Sequence, residues 1–113
     1  MKKIQFEILG KVWNLRILPP KKYKKKHGDD SEGVCRAWKK SIDIHAKCLT
    51  KETLLHELTH AYLSEMCITS ATEFTKNDLE EIYCELLSRW GRELLDLADS
   101  LLVIIEKSRK KEI

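Results

Sequence analysis

The sequence predicts an α+β fold, a short mixed or antiparallel sheet packed on two main helices. Three observations carry this. Apolar residues alternate with polar ones over Ile4–Ile8 and Val12–Ile17, the period of strands with one buried face. From Thr50 onward apolar residues recur at helical spacing instead. The chain has 113 residues, 42% hydrophobic and 35% charged, which suits one domain over 1–113 with one modest core.

The elements follow in order. Gly10-Lys11 offers a turn between the first two alternating runs, and Pro19-Pro20 ends the second, because proline cannot donate to a ladder. Residues 21–33, KKYKKKHGDDSEG, read as a polar, charged loop. Strand character returns over 34–38 and 41–46, where Ile42 and Ile44 face one way and Asp43 and His45 the other. Thr50 is the expected N-cap of a helix with Glu52 in its first turn, where the helix dipole favours negative charge. Its apolar residues Leu54, Leu55, Leu58, Ala61 and Tyr62 carry it to about Cys67, and residues 69–75 break the pattern. A second helix starts near Asn77, with Asn77-x-x-Glu80 as a capping-box variant, and keeps an apolar stripe from Leu79 to Leu102. At 1.5 Å per residue, residues 78–106 would span more than about 40 Å. Either that helix bends near Gly91 or Ser100, or its end projects and packs on a partner, which would make it a homo-oligomer contact.

The net charge of +3 divides unevenly, +8 over residues 1–49 and −5 over the remainder. Packing of the two halves together would neutralise most of it. A nucleic-acid role is disfavoured: Asp29, Asp30 and Glu32 follow the lysines at once, and Tyr23 alone makes no stacking platform. The lysine run then serves as a solvated loop at the mouth of a cleft. Cys35, Cys48, Cys67 and Cys84 form no CxxC, so no zinc ribbon or dithiol redox motif is expected. No apolar stretch approaches a membrane span, and the alternating start is unlike a leader's apolar stretch; the expected location is cytoplasmic, with reduced thiols.

His56-Glu57-Leu58-Thr59-His60 is an HExxH motif inside the helical segment LLHELTHAYL. Residues i and i+4 of a helix lie on one face, so both imidazoles can converge on one zinc ion at about 2.0–2.1 Å. Glu57 sits beside the pair, placed to hold a metal-bound water and take its proton. A catalytic zinc wants a third protein ligand and one open position. No histidine follows His60, and carboxylates on the second helix are the natural supply. The assignment is Glu81 as ligand and Glu85 as the group orienting a ligating histidine, with Glu80 and Glu85 as alternative ligands. Cys35 and Cys84 are further alternatives, in the manner of peptide deformylases. Tyr62, Tyr83 and His45 are candidate donors to an oxyanion.

HELTH on one helix and Glu81-Ile82-Tyr83 near the start of the next resemble the gluzincin arrangement, in its short ImmA/IrrE-like or phage-type metallopeptidase form. The resemblance covers residues 34–90 and implies a zincin-like minimal domain, its short sheet packed on the HExxH helix and a long C-terminal helix. It implies a zinc metallopeptidase that hydrolyses peptide bonds through a zinc-activated water. His56, His60 and Glu81 would hold Zn2+, with Glu57 as general base and residues 41–46 as the edge strand receiving a peptide or protein substrate. The second expectation is a catalytically silent zinc-binding module with a regulatory role, binding protein or nucleic acid.

Overall fold

A two-residue turn starts the fold. β1 (Ile4–Ile8) and β2 (Lys11–Leu18) form an antiparallel hairpin closed at the Ile8–Lys11 pair. Its turn residues are Leu9 and Gly10, with φ of 49° and 80°. Both lie in the left-handed region, as a type I′ turn requires, and this turn matches the twist of the strands it joins. The turn therefore falls one residue earlier than Gly10-Lys11.

The computed structural model describes residues 3–66 and 75–111, and the chain divides into two compact units, Met1–Ile68 and Thr69–Ile113. In the first unit, α1 (Pro20–His27) replaces the loop expected over 21–33. Pro20 suits the first helical turn, where a missing N–H costs nothing, and Tyr23 N–H donates to Pro19 O. Lysine is a good helix former, and the one apolar anchor, Tyr23, is fully buried. Gly28, at φ 82°, ends the helix by donating to Lys24 O.

β3 (Gly33–Arg36), a 3₁₀ turn (Ala37–Lys39) and β4 (Ser41–His45) follow. The sheet order is β1-β2-β4-β3; β2 and β4 are parallel and the other two pairings antiparallel. The edge strand beside the helix is thus β3, which corrects the edge assignment of residues 41–46: β4 is interior, paired on both sides. Trp38, expected in a strand, sits in the 3₁₀ turn.

One sheet face carries Ile8, Trp13, Leu15, Ile17, Ile42 and Ile44, all fully buried. Against it lies α2 (Lys51–Glu65), with Leu54, Leu58, Ala61 and Tyr62 buried. Each such leucine contributes roughly 1.5–3 kcal/mol by leaving water. Thr50 caps α2 as expected, its hydroxyl accepting from Thr53 N–H at 3.1 Å. α2 ends at Glu65; Cys67 and residues 69–74 of the expected break lie outside the described residues.

In the second unit, α3 (Lys76–Lys111) is one helix of 36 residues that continues through Gly91 and Ser100. Its capping box is Thr75–Asp78, not Asn77–Glu80: Asp78 N–H donates to Thr75 Oγ1 and Thr75 N–H to Asp78 Oδ2, both at 3.1 Å. Leu86, Leu94, Ala98, Leu101 and Ile105 form its buried stripe. The α+β class with a short mixed sheet stands. Its zincin-like refinement does not, because among the described residues the metal group that defines such a domain is not assembled.

Candidate functional site

The middle of α2 presents two sides of the HExxH motif differently. His56 and His60 lie on one face, one turn apart, with ring centroids 4.9 Å apart and planes near perpendicular. Both are exposed. Glu57 points the other way, toward β3, and is only 6% exposed. Its neighbour there is Gly33, whose lack of a side chain makes room: a Cβ at that position would stand 2.9 Å from Glu57 Cγ.

Beside this contact lies a cavity of about 400 Å³ between the start of β3 and the first turns of α2, lined by Glu32, Gly33, Glu52, His56 and Glu57 among others. Three of its walls are carboxylates. Glu32 accepts from Thr53 Oγ1 at 3.3 Å, while the Glu57 carboxylate has no hydrogen-bond partner among the described residues. Burial raises the Glu57 carboxyl above the usual carboxylate range; His56 and His60 pull it partly back.

The expected zinc centre is overturned here. Among the described residues no three His, Cys, Asp or Glu side chains come together in a group that could hold a metal ion. Helical geometry brings His56 and His60 together, but two imidazoles are one ligand short of a zinc site. Glu80, Glu81 and Glu85 are exposed on α3, and Glu85 instead pairs with Arg89 one turn on. The zinc peptidase, the Zn2+ cofactor, the gluzincin resemblance and the silent zinc-binding module are all corrected by this finding. The cysteine alternatives fail for the same reason, and burial beside Glu57 pushes the Cys35 thiol up to about 12, away from the thiolate a metal needs.

The strongest polar constellation lies on the opposite sheet face, and sequence reasoning missed it. Asp43, 3% exposed, accepts from Arg16 Nε at 2.9 Å and Arg16 Nη2 at 3.0 Å, from Lys26 Nζ at 3.0 Å and from His27 Nε2 at 2.8 Å. Arg36 Nη2 lies 3.3 Å from His27 Nδ1. A guanidinium can only donate, so in this contact Nδ1 accepts, and Nε2–H is turned to Asp43. Burial alone would raise the Asp43 carboxyl; the hydrogen bonds from His27, Arg16 and Lys26 outweigh it and hold it below the usual range. The one sequence signal was Asp43 itself, an acid between two core isoleucines.

Tyr23 is core, its hydroxyl 2.7 Å from Ser31 Oγ and its ring 4.9 Å from that of His27 and 5.2 Å from that of His45. His45 Nδ1 accepts from Lys47 N–H, Tyr62 is fully buried in α2, and Tyr83 is exposed on α3. Lys21, Lys24, Lys47 and His45 line a second cavity of about 310 Å³, basic where the first is acidic.

No family model, curated protein or solved structure matches the chain. No described helix is long and apolar enough to cross a membrane.

Proposed function

We propose that the first unit is a metal-free peptide-capture module. An extended segment adds to the free edge of β3 and places a lysine or arginine side chain in the acidic cavity. Among the described residues β3 pairs only with β4, so its other edge offers backbone donors and acceptors of the kind strand addition uses. One observation carries the reading: Glu57 is nearly buried, lines the cavity and has no hydrogen-bond partner among the described residues. Burial of its side chain disfavours the charged form, and an incoming ammonium or guanidinium offsets that cost. Glu32 and Glu52 add to the same field.

The test is binding of fluorescein-labelled peptides, identical except for Lys, Gln or Glu at the central position, in buffer containing EDTA. The lysine peptide should bind most tightly and the glutamate peptide least. Glu57→Gln should weaken the lysine peptide roughly ten-fold, the scale of one charge-assisted hydrogen bond. Equal binding of the three peptides, or loss of binding in EDTA, would overturn the proposal.

A further inference from the structure

We infer that the sheet face around Asp43, together with Trp38, is a binding surface for single-stranded nucleic acid, separate from the acidic cavity. Arg16, Lys26 and Arg36 carry three permanent positive charges where Asp43 supplies one negative charge. The surplus reaches solvent, because Arg16 and Lys26 retain 35% and 34% side-chain exposure. Arg36 ends β3, and two residues later stands Trp38, 78% exposed, with Lys39 exposed beside it. On α1, whose last turn supplies Lys26 and His27, Lys21, Lys22 and Lys25 are exposed and have no ion pair among the described residues.

An exposed indole in the turn after the strand that ends in Arg36, with Lys39 next to it in the chain, matches one chemistry, an unpaired base stacked on the ring with flanking phosphates on cations. A duplex presents no free base face to Trp38, and an acidic peptide would use the cations but not the ring. A lipid surface is disfavoured because the residues on either side of Trp38 in the chain are a small alanine and a charged lysine. Tyr23, the aromatic within the lysine run, is buried and takes no part. The stacking ring lies instead in the turn that follows β3.

The experiment titrates the full chain with fluorescein-labelled oligothymidylate at several salt concentrations. Saturable binding is expected, with affinity falling as salt rises by a slope of about 2–3 on logarithmic axes for three or four phosphates neutralised. Trp38→Ala should weaken binding roughly ten-fold and leave that slope unchanged. Lys25→Gln, on the exposed side of α1, should lower the slope by about 0.7 without changing the thermal midpoint. The inference is overturned by absence of saturable binding at low salt, or by oligothymidylate affinity that Trp38→Ala leaves intact. Heparin or duplex DNA bound as tightly as the oligonucleotide would overturn it too, as would Trp38-dependent binding confined to anionic phosphatidylserine vesicles.

Discussion

Gly33 and Glu57 are in direct contact across the junction of β3 and α2, with room for a hydrogen but not for a methyl group. A Cβ on residue 33 would meet Glu57 Cγ at 2.9 Å and Oε2 at 3.1 Å. Gly33→Ala should therefore push the carboxylate aside and destabilise the first unit by about 1–3 kcal/mol. Glu57→Ala removes the obstructing atoms, so the double variant should recover most of the loss in a urea-unfolding cycle. Purely additive effects would show that the contact is not what excludes a side chain.

Glu57 also sets a pH dependence. Its carboxyl is raised by burial, so the folded state binds that proton more tightly than the unfolded chain does. Its favourable contribution is then fully present below the unfolded value of about 4.3 and is lost as pH rises through the folded one. Glu57→Gln should stabilise the protein at neutral pH, because the amide has no charge for burial to penalise. The gain should disappear on acidification, a trend read from thermal midpoints between pH 4 and 8.

Asp43 has the opposite sign. Its carboxyl is held below the usual range, so it adds stability above the unfolded value of about 3.9, and that stability is lost as pH falls through the folded one. Asp43→Asn leaves Arg16, Lys26 and Arg36 without their counter-charge and should cost about 2–4 kcal/mol at neutral pH. The wild-type advantage should shrink in acid, as measured by urea unfolding at pH 7 and pH 3.

The thiols should differ in reactivity. With Cys35 pushed up to about 12, only about one molecule in ten thousand carries its thiolate at pH 8. Cys84 is exposed on α3. Timed alkylation followed by peptide mass spectrometry should find Cys84 modified early and Cys35 last. Early labelling of Cys35 would contradict its placement beneath Glu57.

The hairpin and α2 were legible because their signals are local: alternation fixes which faces of β1 and β2 are buried, and Thr50 supplies its own cap. α1 was hidden because a single apolar residue, Tyr23, anchors eight residues of otherwise charged helix. Spacing alone placed His56 beside His60. It could not supply a third ligand, since that depends on where another element lies in space. The Asp43 cluster was illegible for the same reason: Arg16, His27, Arg36 and Asp43 come from four elements and meet only after the sheet is assembled. Periodicity correctly put Asp43 opposite the isoleucines but said nothing of what waited on that side.

The parallel pairing of β2 with β4 governs how quickly this unit acquires its structure. The β1–β2 hairpin needs only Leu9 and Gly10 to turn back, and such hairpins close within about 1–10 μs. Setting Arg16 beside Asp43 instead requires ring closure over 27 positions, with a helix and an edge strand organised between them. That closure is the slow step expected to limit refolding. Inserting flexible residues at the exposed Asp29-Asp30 segment should delay refolding while shifting equilibrium only slightly, since doubling such a segment costs about 0.6 kcal/mol.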